Sequence, residues 1–365
     1  MVNSTLHIGG AEQVAACLVE HIDRSAFDVS ACYLKEAGVV AEQMSRAGVL
    51  VEPIPGLKPG RRDYLTSLKL RKIVRHRQVE VIHTHDIHGL IDGAVCRLMA
   101  RGLRHVHTFH YGNYPYRSPR LRFIEKALWR VPDVLVTVSH AQAEAICSLY
   151  RIPADRMRVI WNGVPDIAAA RPGQTETLDI PLGVPVIASI STLIPQKGLE
   201  YLIDAAALLQ QSGEKFLLLI VGGGPLYSSL MAQAARLQLR EQIRFLNWVP
   251  QASSRILPLC DIFVQSSLWE AMSVVVLEAM AASKPMVVTS VGENPLVVVP
   301  GETGLVVPAG RPIALADGLR TLLRDAGLRE RMGRAGRSRY QNLFTVQHML
   351  SAYQDLYREL SMNSR

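Results

Sequence analysis

The chain has 365 residues, of which 48% are hydrophobic and 20% charged, with a formal net charge of +8 and a mean hydropathy of +0.13. That length suits two domains of roughly 150–200 residues, each long enough to bury its own core. Five scattered cysteines (Cys17, Cys32, Cys96, Cys147 and Cys260) show no C-x-x-C spacing. They argue for a reducing compartment and against a disulfide frame or a zinc site. With no run of about 18 uninterrupted apolar residues and no basic-then-apolar leader, the expected location is cytoplasmic.

In chain order, the apolar periodicity predicts a helix over 14–22, a strand over 27–34 and a helix over 64–76. A strand follows over 79–83, a helix over 89–99, strands over 105–108 and 134–139, and a helix over 141–150. Residues 168–185 are poor in large apolar side chains and rich in Pro, Gly and Thr, which reads as an interdomain linker. The second half repeats the alternation, with strands over 186–191, 216–221, 243–246, 262–265 and 286–289 and helices starting at Leu199, Leu226 and Ser273. The apolar pattern from Tyr340 to Leu360 predicts one long terminal helix. Strands alternating with helices at this spacing call for mostly parallel sheets covered on both faces.

Residues 265–281 carry the densest chemical signal. Glu270 and Glu278 stand eight positions apart, the first after an apolar strand and the second inside a short buried helix over 274–282 for which Ser273 is the predicted N-cap. A helix that starts directly after a strand turns free N–H groups and its positive dipole end toward the sheet's upper edge, which suits a phosphate. Acids beside such a site do not attract phosphate. Their natural partners are hydroxyls, and therefore sugars. A pair of glutamates at this spacing is nevertheless common by chance, so the surroundings decide.

Those surroundings are specific in combination. Asp261-Ile-Phe-Val-Gln-Ser-Ser, then Glu270-x7-Glu278-Ala-Met-Ala, then Lys284-Pro-Met-Val-Val-Thr-Ser-Val-Gly292 resembles the donor-sugar segment of the retaining nucleotide-sugar glycosyltransferases of family 4 (group 1). Further marks of that family follow in order: Gly9-Gly10-Ala-Glu12, Val138-Ser139, Val159-Ile-Trp-Asn162-Gly163, Pro195-Gln-Lys197-Gly198, Val221-Gly222-Gly-Gly224-Pro225 and Ile243-Arg-Phe-Leu-Asn247-Trp-Val249.

The resemblance implies the GT-B fold, in which two Rossmann-like doubly wound parallel-sheet domains face one another across a cleft. The expected division is 1–167 on the acceptor side, linker 168–185, 186–339 for the nucleotide sugar, and a helix over 340–365 returning to the first domain. It also implies transfer of a hexose from a nucleotide diphosphate sugar to an acceptor hydroxyl with retained configuration. The setting it implies is bacterial cell-surface polysaccharide or glycolipid synthesis, with no metal or other cofactor.

By resemblance, Lys197 neutralises the donor diphosphate, and Gly9 and Gly10 bring backbone N–H groups to it. Glu270 holds the hexose hydroxyls, with the amides of Ala271, Met272 and Ser273 beside it. Glu278 grips the ribose, the backbone from Asn247 to Val249 meets the base, and His110 reaches the sugar or helps deprotonate the acceptor. The H-x-H pairs His83/His85 and His105/His107 have a spacing that can bind metal, but without neighbouring Cys or clustered acids a structural role is expected for them.

Departures from the family pattern are Thr192 where an arginine is usual, Ser283 and Glu293 where glycines are usual, and Leu296 where an acid is usual. Met1 to Ser4 supply only the end of the family's first strand, so that strand is expected to be short. Two other functions fit the same motifs. One is another GT-B enzyme, a nucleotide-sugar epimerase or phosphorylase. The other is a catalytically weak sugar-nucleotide-binding partner, which Thr192 would favour.

Charge is uneven. Residues 1–160 hold 22 Lys and Arg against 15 Asp and Glu, whereas residues 161–365 hold 18 against 17. The excess concentrates from Lys58 to Arg77 and from Arg117 to Arg130. Ordinary solubilising charge and attraction to an anionic membrane surface both fit it; nucleic acid is disfavoured, because no recognised module is present and aromatics are sparse.

Overall fold

The computed structural model describes every residue except 8, 57–62, 64, 115–116, 168–179, 182 and 363–365. Most of the expected linker, and Lys58, Arg61 and Arg62 of the first basic run, therefore lie outside the described residues. The chain forms two compact units, Met1–Gly163 with Val346–Arg365, and Val164–Thr345.

The first unit is built on seven strands: β1 (Val2–Thr5), β2 (Ser30–Glu36), β3 (Leu50–Pro53), β4 (Val81–Thr84), β5 (Arg104–Phe109), β6 (Val134–Thr137) and β7 (Met157–Val159). All pair in parallel, in the order β3-β2-β1-β4-β5-β6-β7. The four residues of β1 occupy the centre of the sheet, and their register with β4 is the single pair Val2↔Thr84. Because the chain runs outward from β1 to β3 and then returns to β4, right-handed crossovers place the helices before and after the return on opposite faces. Gly10–His21 packs on Val39–Arg46 and on the terminal helix, while Thr66–His76 packs on Ile87–Met99, which packs on Pro119–Leu128.

The second unit continues the numbering with β8 (Val186–Ile190), β9 (Leu217–Val221), β10 (Ile243–Leu246), β11 (Ile262–Gln265), β12 (Met286–Thr289) and β13 (Leu305–Val307). The order is β10-β9-β8-β11-β12-β13, again all parallel. Strands β9, β11 and β12 are buried at every position, as largely apolar runs between two helical layers should be, the polar Gln265 and Thr289 closing β11 and β12. Their side chains join Leu202, Ile203 and Leu319 in one core.

The predicted terminal helix from Tyr340 to Leu360 is two helices, Ala326–Leu343 and Val346–Met362. The apolar period runs through the junction, but the helix ends at Phe344 and Thr345. There Val164 N donates to the Phe344 carbonyl at 3.0 Å, and Val164 bridges Thr345. Among the described residues no helix is long and apolar enough to cross a membrane.

The second of these helices is held in the first unit by the histidines of β4 and β5. His83 bonds the Tyr357 hydroxyl through Nδ1 and the Thr108 hydroxyl through Nε2, both at 2.7 Å, and Tyr353 meets Thr108 at 3.2 Å. Thr84 joins His105 at 2.9 Å and His107 at 2.8 Å. Burial holds His83, His85, His105 and His107 well below the usual imidazole range, so all four are neutral at pH 7. The H-x-H pairs are thus spent on a buried polar ladder. Tyr357→Phe should leave the His83 Nδ1 without its partner and destabilise this unit by about 1–3 kcal/mol. Urea unfolding followed by fluorescence measures it; an unchanged midpoint would deny the ladder that role.

Candidate functional site

In the second sheet the chain winds outward from β8 to β10, returns, and winds the other way from β11. The switch point therefore lies between the carboxyl ends of β8 and β11, where open parallel sheets bind ligands. Two loops meet there. After β8, Pro195–Lys197 makes one 3₁₀ turn that Gly198 closes at φ +56°, in the left-handed region. A Cβ at Gly198 would stand 2.4 Å from the Ser266 carbonyl, so only glycine lets the loop after β11 come this close. Three bonds stitch the loops together: Leu268 N to the Gln196 carbonyl at 2.7 Å, Ser266 Oγ to the Lys197 carbonyl at 2.8 Å, and Gln196 Nε2 to the Trp269 carbonyl at 3.0 Å. The run Gly222–Gly224 serves the same region, since a Cβ at Gly222 would lie 2.0 Å from the Ser191 carbonyl and one at Gly224 2.5 Å from that of Leu193.

The result is a close ion pair at the switch point. Lys197 Nζ donates to Glu270 Oε1 at 2.5 Å, with the lysine side chain 20% and the glutamate 9% exposed. Ser267 Oγ donates to the same oxygen at 2.8 Å, and Gln196 Nε2 reaches Glu270 Oε2 at 3.4 Å. The backbone at Glu270 is fixed from the far side by the turn after β12. Gly292 has φ +53°, and a Cβ on it would fall 2.4 Å from the Glu270 carbonyl. Glu293 N donates to the Ala271 carbonyl at 2.9 Å, a bond that the departure from glycine leaves intact. Ser283, the other lost glycine, keeps the left-handed backbone at φ +57°, while Leu296 is half exposed.

Beyond Glu270 the buried residues Ala271 and Met272 lead to Ser273 and the helix Val274–Ala281. Ser273 occupies the N-cap as predicted, but its side chain makes no capping bond. Glu278 is half-buried on that helix and takes a 2.5 Å bond from Ser253 Oγ. Burial pushes its carboxyl up to about 7 although the Ser253 bond opposes the rise. Ser253 follows the turn after β10, where Asn247 is exposed, Val249 half-buried and Trp248 50% exposed between them. Thr192 is exposed just after β8.

Lys197, Glu270 to Ser273, Glu278, Thr192, Asn247 and Val249 thus share one edge of one unit. Gly9, Gly10 and His110 belong to the other unit, at the carboxyl ends of β1 and β5. Gly9 precedes the helix Gly10–His21 in extended backbone, and a Cβ there would stand 2.3 Å from Glu12 Oε2. The carboxylate of Glu12 therefore folds back over the helix start that was expected to face phosphate. Next to β1, Asp86 takes 2.5 Å bonds from both N and Oγ of Ser4 and caps the helix Ile87–Met99. His110 Nε2 lies 2.9 Å from His85 Nδ1, and burial lowers His110 to about 4, leaving a neutral ring.

Sequence reasoning missed Gln196, Ser267, Ser253 and Glu12, the groups that orient the named residues. Ser267, three positions before Glu270, and Glu12, three after Gly9, were within local reach; Gln196 and Ser253 act on glutamates remote in the chain.

The raised carboxyl of Glu278 has a measurable sign. A group whose pKa is higher folded than unfolded favours the fold most when protonated, so that contribution is complete below pH about 4.5 and is lost as pH rises through about 7. Glu278→Gln, neutral throughout, should gain on the wild type by on the order of 3 kcal/mol between pH 4.5 and 8. Parallel denaturation curves at both pH values would contradict it.

The motifs and geometry agree with known proteins. Residues 8–166 match the model for Glycosyltransferase Family 4 and residues 171–339 that for Glycosyl transferases group 1. The D-inositol 3-phosphate glycosyltransferase of Corynebacterium glutamicum (strain R) is 30% identical over 326 residues, covering 80% of this chain and 77% of that protein. The alpha-maltose-1-phosphate synthase of Mycolicibacterium smegmatis is 27% identical over 341 residues, or 86% and 87%. The fold is shared with Anabaena Alr3699/HepE, solved in complex with UDP and glucose, at TM-score 0.83 and 21% identity over 98% of this chain and 99% of that one. It is shared as well with the sucrose-phosphate synthase of Thermosynechococcus elongatus, at TM-score 0.78 and 21% identity over 98% of each. With its two parallel-sheet Rossmann-like units, this chain belongs to the group 1 glycosyltransferases of GT-B fold.

Proposed function

We propose that this glycosyltransferase moves a hexose from a nucleotide diphosphate sugar to an acceptor hydroxyl, keeping the anomeric configuration, in cell-surface polysaccharide or glycolipid synthesis. The observation that carries the reading is the Lys197–Glu270 pair at the sheet's switch point. An ammonium has three donors and Glu270 uses one, which leaves two for a diphosphate. The carboxylate keeps acceptor capacity for sugar hydroxyls, and the amide end of the helix Val274–Ala281 adds positive potential beside it. UDP and glucose in the complex of Alr3699/HepE support a donor of this class.

The chemistry that follows is simple in outline. The bond from the anomeric carbon to the diphosphate oxygen breaks while the acceptor oxygen bonds to that carbon on the same face. The departing diphosphate takes the acceptor's proton. Lys197 and the helix amides stabilise the charge that gathers on the leaving group, which is where preorganised donors lower a barrier most. Glu270 orients the hexose, with the backbone of Ala271, Met272 and Ser273 alongside. Glu278 accepts from the ribose hydroxyls, and the backbone from Asn247 to Val249 meets the base. In this reading Gly9 and Gly10 offer backbone N–H groups to the diphosphate once the Glu12 carboxylate turns aside, and His110 is a neutral ring able to accept or donate one hydrogen bond. No metal or other cofactor enters this reading.

Thr192 supplies one neutral hydroxyl where relatives of this pattern carry a guanidinium, so the leaving group meets one cation fewer. Glu270→Ala should lower transfer by about a thousand-fold or more with the circular dichroism spectrum intact, and the product should show the donor's anomeric configuration by NMR. Undiminished turnover, or inversion, would sink the proposal. Thr192→Arg should raise kcat/KM by roughly ten-fold through restored charge; a fall in the rate would mean that the threonine is not a stand-in for the arginine.

A further inference from the structure

In the first unit, three neighbouring helices of one layer carry most of the helical positive charge. In the helices Thr66–His76, Ile87–Met99 and Pro119–Leu128 there are eight Lys and Arg and just two acids, Asp92 and Glu125. Both acids are turned inward: Asp92 is 4% exposed and bonded to the hydroxyls of Thr66 and Ser67, and Glu125 is 1% exposed and paired with Arg117 and Tyr150. The opposite layer, made of Gly10–His21, Val39–Arg46 and Val346–Met362, has five acids and two Lys or Arg. These three helices thus present cations without an exposed acid of their own, which the opposite layer does not.

The basic layer also exposes large apolar side chains among its cations: Leu65 and Leu68, Leu98 and Met99, and Phe123. Leu68, Lys72 and Arg75 follow one another at i, i+4 and i+7 on the first helix, with Leu68 45% exposed. Phe123, 74% exposed, stands between the exposed Arg120 and Lys126 on the third. Leu98, 73% exposed, is the penultimate residue of the second helix, shortly before the exposed Arg101.

From this arrangement we propose that the outer face of these three helices is a docking surface for an anionic lipid bilayer. Lys69 and Arg97 are paired with Asp63 and Asp133 from flanking loops, but no acid of the three helices is exposed, and their remaining cations match lipid phosphates. Leucine, methionine and phenylalanine tips in groups of one or two, set among cations, suit the soft boundary between headgroups and acyl chains. A nucleic acid would call for stacked aromatic rings, and Phe123 is the one aromatic exposed on these helices among the described residues. The inference does not rest on the transfer reaction.

Vesicle flotation of the full chain tests it, with phosphatidylcholine alone against phosphatidylcholine containing about a third phosphatidylglycerol. The chain should float with the anionic vesicles only and be released by high salt. Each surface cation should contribute about five-fold to partitioning, so Lys72→Glu/Lys126→Glu should lower it by more than twenty-fold. Leu98→Ser/Phe123→Ser should lower it at least ten-fold on the same vesicles. All four positions are exposed, and circular dichroism of both variants checks that they fold. Equal flotation with both vesicles, none with either, or undiminished binding by the charge variant would overturn the proposal. So would tight binding of single-stranded RNA without flotation.

Discussion

The close pairing of Lys197 with Glu270 is the constraint on which the second unit's architecture turns. A carboxylate 9% exposed is costly without a partner, and a lysine from the neighbouring loop supplies one. Neither residue is placed by its own loop alone. The lysine turn is pressed against the loop after β11 because Gly198 lacks a side chain, and the glutamate backbone is pressed from behind because Gly292 lacks one. Two glycines in left-handed backbone therefore do for this site what a cluster of specific side chains does elsewhere. They allow three loops to close to backbone contact, and the charges follow.

The two units use their switch points differently. In the second, charge is concentrated at the carboxyl edge, and a helix end adds to it. In the first, the corresponding edge holds acids (Glu12 and Asp86) and neutral histidines. Asp86 is already engaged with Ser4 and the next helix, and His110 with His85. The same histidine-rich strands also anchor the end of the chain through Tyr353 and Tyr357. One polar ladder thus joins the acceptor-side edge, as the family pattern names it, to the element that brings the chain back to this unit. Neutrality is what makes it workable, since several imidazolium ions packed this closely would repel one another.

Much of this was legible in the amino-acid sequence. Apolar runs such as Leu217–Val221 and Met286–Val288 announce strands buried on both faces, and the spacing of Glu270 and Glu278 with the flanking motifs announces the family. The edge strands β3 and β7 carry no such signal, because partly exposed residues of mixed polarity satisfy them, and β13 is apolar but only three residues long. The break at Phe344 and Thr345 was hidden for the opposite reason: the apolar period continues across it. The positioning groups escaped because their partners are remote in the chain, as Ser253 is from Glu278 and Gln196 from Glu270. Glu12 escaped because a carboxylate folding back on Gly9 depends on a rotamer, which spacing does not encode. The departures from the family pattern were readable as letters but not as consequences. Ser283 retains the glycine-like backbone, and Glu293 retains the backbone bond to Ala271.

The central proposal is that the pair at the switch point holds an activated sugar by its diphosphate and its hexose. A crystal soaked with a panel of nucleotide diphosphate sugars, UDP-glucose first, examines it directly. The account predicts a diphosphate oxygen within hydrogen-bond distance of Lys197 Nζ, with the hexose hydroxyls on the carboxylate of Glu270. A nucleotide sugar bound away from residues 270–278, or no binding by any member of the panel, would contradict it.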